Sequence, residues 1–501
     1  MKKLYKLTAV FMLSILSVNF ANKIDTKAVQ INGTMMQYFE WYLPNDGQHW
    51  NKMNSEAANL SANGVTALWI PPAYKGMSQD DVGYGAYDLY DLGEYNQKGT
   101  VRTKYGTKSE LQSAIQSAHS NNIQVYGDVV MNHKLGADGV EQADAVAVDG
   151  SNRNNEVSGT QTIGAWTDFN FPGRAVDPNK STKFNWHWYH FDGVDYDNNA
   201  KTNKIFKFKS TGKAWDNEVD SENGNYDYLM GADIDFDHPE VKQELKDWGK
   251  WYREELQLDG YRLDAVKHIK FDYIKEWIQY QKSQGNTSVF NVSEYWTGDH
   301  GKLVNFINKT AGESNVFDAP LHYNFYSAAT SNGNYDLRKL SDNTLVQSHP
   351  VQAVTLVDNH DTQAGQSLQS EVPEWFKPGA YNYILTRDTG YPTVFYKDYY
   401  SSTVGGKIQK LMQVRSKYAY GKQNNYSYTA NDGDTADLVG WSREGDSDHA
   451  NSGVASLVSD SGTGEQTKWM YVGKHNAGET WYDYTGGISH ETVINAEGYG
   501  E

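Results

Sequence analysis

Short apolar runs alternate with amphipathic stretches along most of the first 420 positions. Met35 to Trp41 has the pattern of a strand, and Trp50 to Asn63 that of a helix stopped at Asn63-Gly64. Thr66 to Ile70 reads as the next strand, broken by Pro71-Pro72. Thr107-Lys108-Ser109-Glu110 spells a capping box and opens a helix with Leu111, Ile115 and Ala118 on one face. Ile123 to Met131 (IQVYGDVVM) has too few polar positions to face water, which predicts a strand buried on both faces. Repeated units of this kind make a parallel sheet, either doubly wound or closed as a barrel.

From His133 to about His238 the rhythm fails. The segment is polar, aromatic and rich in Gly and Asn, with strand-like pieces at Trp186 to Phe191 and Ile205 to Lys209. A loop of that length is improbable inside a compact domain, so an inserted subdomain is expected. The βα rhythm resumes with a helix over Val241 to Leu256, a strand over Gly260 to Val266 and a helix over Phe271 to Lys282. Strands follow at Val289 to Ser293, Val351 to Val357 and Thr393 to Tyr396, and Ile408, Leu411, Met412 and Arg415 mark a last helix. Beyond Gly421, strands alternate with turns at Asp437 to Trp441, Gly453 to Val458, Lys468 to Val472 and Glu479 to Tyr484, which predicts a separate antiparallel β domain.

Composition narrows the function classes. A net charge of −18 lacks the basic footprint that nucleic acid or an anionic membrane would need. The 15 Trp and 36 Tyr hint at sugar stacking, although rings also fill cores. Lys2, Lys3 and Lys6 precede a short apolar run, Leu7 to Val18, and Thr26-Lys27-Ala28 places small residues where signal peptidase reads. Residues 1–28 are therefore expected to be a signal peptide, with cleavage after Ala21 as the alternative, and the protein to be secreted and extracellular. No cysteine is present, so neither a disulfide nor thiol chemistry is available.

Chemistry concentrates at strand ends. In Asp259-Gly260-Tyr261-Arg262-Leu263-Asp264-Ala265-Val266-Lys267-His268, period-two alternation puts Arg262 and Asp264 on one side. A guanidinium there favours the ionised acid. Alone, this stretch fits a structural ion pair as well as a nucleophile. Glu294 ends the strand Val289 to Ser293 and precedes Tyr295-Trp296, while Asp361 follows Val354 to His360. In parallel βα architectures the C-terminal strand ends carry the chemistry. Three acids there suit glycoside hydrolysis, in which one carboxylate attacks or stabilises the anomeric carbon and another donates a proton to the leaving oxygen. Asp264 suits the first role. Glu294, between Val292 and two aromatic residues, suits the second through desolvation, and Asp361 is expected to be a further ionised group.

These residues sit in four motifs: Asp128-Val129-Val130-Met131-Asn132-His133, Gly260 to His268, Val292-Ser293-Glu294-Tyr295-Trp296, and Val357-Asp358-Asn359-His360-Asp361. With Val82 to Glu94 and Trp188 to Gly193 between them, the chain resembles the α-amylases, most closely the secreted liquefying-type bacterial enzymes. The resemblance implies an α/β fold, a TIM (β/α)8 barrel with a subdomain inserted after the third strand and a C-terminal antiparallel β-sandwich. It implies endo-acting, retaining hydrolysis of α-1,4-glucosidic bonds in starch, with Asp264 as nucleophile, Glu294 as acid/base and Asp361 as stabiliser. Tyr84, His133, Arg262, Lys267, His268, Trp296 and His360 match residues that line the sugar subsites. The domains expected are 29–132 and 238–420 for the barrel, 133–237 for the insert and 421–501 for the sandwich, in a monomer. A maltooligosaccharide-forming amylase or transglycosylase is the alternative on the same scaffold, and a non-catalytic carbohydrate-binding relative a more distant one.

Asp233-Ile234-Asp235-Phe236-Asp237 places three acids on one side of an extended segment, which suits either a hard cation or a solvated loop. An EF-hand is excluded, because His238 stands where that loop needs Gly. By the resemblance, Asn132, Asp227, Asp233 and the carbonyl of His268 match a main Ca2+ site. Asp192, Ala214 (carbonyl), Asp216, Asp235 and Asp237 match a neighbouring cluster for a second Ca2+ and a Na+. The chain departs from the family pattern at Lys397, where relatives usually have Gly, at Asn217, where they carry Trp, and at Asn424-Asn425, where a further calcium site uses a His-Asp pair. It also stops at Ala496 to Glu501, where relatives continue into one more strand, so an exposed sheet edge is expected.

Overall fold

The structure, a computed structural model, describes residues 32–501 except 178–182, 286–288, 428–435 and 462–465. The leader expected at residues 1–28 lies outside the described residues. Among those described, no helix is long and apolar enough to cross a membrane.

Eight parallel strands close into a barrel: β1 Met35–Gln37, β2 Ala67–Ile70, β3 Gln124–Val129, β4 Gly260–Leu263, β5 Phe290–Ser293, β6 Asn315–Phe317, β7 Ala353–Leu356 and β8 Tyr391–Phe395. They follow one another around the ring in sequence order, and β8 pairs β1. Alternation sorts their side chains into two cores. Met35, Ala67, Trp69, Tyr126, Val292, Phe317, Val354 and Leu356 fill the interior, while Leu68, Ile70, Val125, Val129 and Val316 pack outward on the helices. Helix α1 (His49–Ala62) follows β1, and α2 (Lys108–Ser120) precedes β3. The capping box at Thr107 and Glu110 is formed, each side chain reaching the other's backbone N–H. Helices α3 (Pro239–Leu256), α4 (Phe271–Ser283), α5 (His300–Lys309), α6 (Ala319–Thr330), α7 (Lys377–Thr386) and α8 (Gly405–Lys417) complete the outer layer.

The insert is an antiparallel sheet ordered His133–Lys134, Ala232–Ile234, Phe191–Asp197, Thr202–Phe208, Gly139–Asp149, Asn152–Glu156, with Gln161–Asp168 also pairing Gly139–Asp149. Trp186 to Phe191 is not a continuous strand: Trp186 makes an isolated antiparallel bridge to Phe169, Trp188–His190 forms a 3-10 turn, and the strand proper begins at Phe191. Two barrel expectations also change. Strand β1 ends at Gln37, so Trp41 lies in a turn beyond the ladder. Strand β4 ends at Leu263, because Ala265 adopts a left-handed conformation (φ 50°) before a 3-10 turn over Val266–His268.

Past α8, Gln423–Asn425, Leu438–Arg443 and Val454–Ser459 form one antiparallel sheet, and Thr480–Tyr482 pairs Glu491–Val493. Tyr499–Gly500 pairs Met470–Tyr471, so residues near the end of the sequence supply a partner strand where an exposed edge was expected.

Candidate active site

The C-terminal ends of β3, β4 and β5 bring three acids to one guanidinium, and Asp361, beyond β7, stands within its electrostatic reach. Register sets Arg262 beside Asp128 on one side and Val292 on the other. Fully buried, Arg262 donates through Nη1 to both Asp128 oxygens at 3.0 and 3.1 Å and to Asp264 Oδ1 at 2.5 Å. Its Nη2 lies 2.9 Å from Glu294 Oε2, which also accepts the Ala265 N–H at 2.9 Å. The left-handed backbone of Ala265 directs that N–H, a strained conformation of the kind stored at functional sites. The ion pair expected between Arg262 and Asp264 is thus part of a larger set. Asp128, visible in its motif but given no role there, is held by the Trp69 indole and the Tyr84 hydroxyl, each at 2.9 Å.

One cation cannot balance that many anions, and the carboxyls respond. Burial pushes Glu294 up to about 8, against Arg262 and with the help of the Asp264 and Asp361 charges. Burial likewise raises Asp128 to about 6 despite Arg262, with Asp264 adding to the rise. Asp361 differs from its expectation as a plainly ionised group. Burial, opposed by Arg262 and reinforced by Asp264 and Asp128, raises it to about 7.

Three flat rings stand parallel beside these acids. Tyr84 and His360 have centroids 5.0 Å apart, and Trp41 lies 6.1 Å from each, all within a few degrees of parallel. The hydrophobic pattern places Trp41 in a strand, and its ring contacts have no signal in the sequence. His360 Nδ1 accepts from Gln37 Nε2 at 2.9 Å, which leaves the proton on Nε2, 3.3 Å from Asp361 Oδ2. His133 Nε2 donates to the Tyr84 carbonyl at 2.9 Å. Trp296 donates to the Tyr323 hydroxyl at 2.9 Å. Lys267 bridges to Glu222 at 2.9 Å and stands over the Tyr226 ring. His268 is buried and bonds the Tyr226 carbonyl through Nδ1 at 2.7 Å. The expected sugar-lining side chains therefore gather around the strand ends, but Lys267 and His268 engage the insert.

Where the insert meets the barrel, Asp192, Asp216 and Asp227 place carboxylate oxygens within 4.8 Å of one another. Asn132 and Asp233 are in contact at 3.4 Å. Asn132 Oδ1, both Asp192 oxygens, Asp216 Oδ1 and Asp233 Oδ2 are buried without a hydrogen-bond partner. Burial and mutual repulsion push Asp192, Asp227 and Asp233 well above the usual carboxylate range, and Asp216 to about 7. A dense set of unpaired hard oxygens fits a calcium-like cation. Asp235 instead forms a buried pair with Lys213 at 2.5 Å, and the exposed Asp237 pairs with Lys270. Ala214 lies in an exposed loop, as does Asn217.

Residues 55–444 match the family model "Alpha amylase, catalytic domain". The chain is 56% identical over 511 residues to an α-amylase of Bacillus licheniformis, covering 100% of this chain and 96% of that one. It is also 56% identical over 499 residues to a glucan 1,4-α-maltohexaosidase of Bacillus sp. (strain 707), covering 98% and 94%. Among solved structures, an Anoxybacillus α-amylase aligns with a TM-score of 0.60 at 17% identity, over 94% of each chain, and shares the fold.

Proposed function

The chain belongs to the α-amylase family, and from that we infer how it works: it is a glycoside hydrolase that cuts internal α-1,4-glucosidic bonds of starch and related glucans with retention. Asp264 attacks the anomeric carbon, and the bond to the leaving oxygen breaks as Glu294 gives that oxygen its proton. Glu294, now a carboxylate, then takes a proton from water, whose oxygen displaces Asp264 and restores the α configuration. Asp361 faces the positive charge that develops on the sugar, with the His360 Nε2–H beside it.

The observation that supports these roles best is the single buried Arg262 shared by Asp128, Asp264 and Glu294, with burial pushing Glu294 up to about 8. A general acid must keep its proton near the working pH, and a nucleophile must not. The parallel rings of Trp41, Tyr84 and His360 offer a stacking wall for the glucan, and His133 and Trp296 at the strand ends, with Lys267 and His268 on the side of the insert, complete the sugar-lining set. We take the barrel as 29–132 and 238–420, the insert as 133–237 and the C-terminal part as 421–501, in a secreted monomer with no nucleic-acid or membrane partner.

Asn132, Asp227 and Asp233, with the carbonyl of His268, are the residues that would hold Ca2+. Asp192, Asp216 and the Ala214 carbonyl would hold a second Ca2+ and Na+, together with Asp235 and Asp237 if these give up their Lys213 and Lys270 partners. A calcium ion held by these residues would neutralise their carboxylates, and because they come from both insert and barrel it would tie the two together. Sizing the products of soluble starch tests the function. Early mixed-length fragments are expected, whereas one dominant oligosaccharide would favour the maltooligosaccharide-forming alternative, a reading kept in view by the similarity to the strain 707 enzyme.

A further inference from the structure

Asp358, Glu371 and Asp398 bring carboxylate oxygens within 4.8 Å of one another, tight enough for a metal ion. An ammonium occupies that position. Lys377, at the start of α7 and 1% exposed, places Nζ 3.1 Å from Asp358 Oδ2, 3.1 Å from Glu371 Oε1 and 2.5 Å from Asp398 Oδ1. The three acids come from the segment after β7, the loop before α7 and the short helix Tyr396–Tyr399 after β8. Asp358 also accepts the Val372 N–H and the Thr362 hydroxyl, which closes the base of the loop over residues 358–376. This loop carries Asp361.

Lys397 grips the same loop from outside. Its Nζ lies 2.9 Å from Glu371 Oε1 and 3.0 Å from Oε2, and 40% of its side chain is exposed. Glu371 Oε2 accepts the Ala364 N–H at 3.1 Å. The neighbouring Gln363 accepts the Trp41 N–H and donates to Glu40, both at 3.1 Å, and the Ala364 carbonyl receives the Tyr42 hydroxyl at 3.0 Å. A continuous set of contacts therefore runs from Lys397 through Glu371 and the loop to Trp41.

We propose that Lys397 is a positioning residue for glucan binding: by clasping Glu371 it fixes the loop that sets the Trp41 stacking face, while the buried Lys377 fixes Asp361. The inference rests on the amylase reading above. The two lysines divide the work by burial. Lys377 is part of the core, and its loss would disturb the fold. Lys397 sits at the rim, so its removal loosens the loop while the inner ion cluster stays intact.

The test measures kcat and KM of the full chain on a blocked chromogenic maltoheptaoside. Lys397→Ala should raise KM about two- to fivefold and leave kcat within about twofold, as expected for a partly exposed clasp. Lys397→Arg should restore most of the KM. In a Trp41→Ala background, Lys397→Ala should raise KM no further, because the group it positions is gone. An unchanged KM, or the same rise with and without Trp41, would overturn the proposal. Failure of the unmodified enzyme to cut the substrate would instead refute the amylase reading.

Discussion

Replacing Glu294 with glutamine should abolish hydrolysis and make the protein harder to unfold at alkaline pH. In the folded enzyme this carboxyl is raised from 4.5 to about 8, chiefly by burial. Between those values the native state holds a proton that the unfolded chain has released, so stability falls as pH rises through the window. The contribution is fully present below 4.5 and is lost once pH passes about 8. At 1.36 kcal/mol per unit, the shift corresponds to about 5 kcal/mol as an upper bound. Local relaxation and water entry reduce the effect to about 2 kcal/mol. Glutamine keeps an oxygen for the Arg262 Nη2 and the Ala265 N–H but never ionises, so the variant escapes this cost. For a chain of this size the gain appears as a rise in Tm of roughly 2–4 °C. The assay is thermal unfolding of both proteins from pH 5 to pH 9 at fixed calcium. The Tm difference should be near zero at pH 5 and widen towards pH 9. A difference that is constant across the range, or that narrows with pH, would refute the argument that Glu294 is held protonated by its surroundings.

Three further outcomes are expected. Asp264→Asn should lower kcat by at least about a thousandfold while starch binding survives, checked by rate assay and by co-sedimentation with insoluble starch. A chelator should lower Tm by about 4–8 °C and activity with it, since an ion in large excess over its Kd stabilises the native state by about 4 kcal/mol. Both should return on adding Ca2+. Trp41→Ala should raise KM roughly tenfold with little change in stability, as expected for a stacking surface used by the ligand rather than by the core.

The barrel rhythm was readable because buried parallel strands and amphipathic helices leave different periods in a chain. The Thr107–Glu110 capping box and helix α3 show this most clearly. Strand β6 leaves no readable pattern, because Asn315–Phe317 spans three residues, too few to display a period. In the insert, the long strand Gly139–Asp149 hid behind a polar composition, its buried face being the small residues Ala143, Ala145 and Ala147. Asp264 and Glu294 are legible because each closes an apolar strand, and Asp361 because it follows one within a few residues. Trp41 and Asp128 are not, because their importance lies in contacts across the barrel, with His360 and Arg262, that no local pattern records. The same holds for Lys213 and Lys270, which pair with acids that the motif resemblance assigns to metal.

The central claim is that Asp264 forms the bond to the sugar while Glu294 supplies the proton. It is tested most directly by inactivating the enzyme with a fluorinated α-maltosyl fluoride, which traps a glycosyl–enzyme, and mapping the added mass by peptide digestion. One sugar adduct is expected, on the peptide that carries Asp264. An adduct on Glu294 or Asp361, or inverted product with no adduct at all, would contradict it.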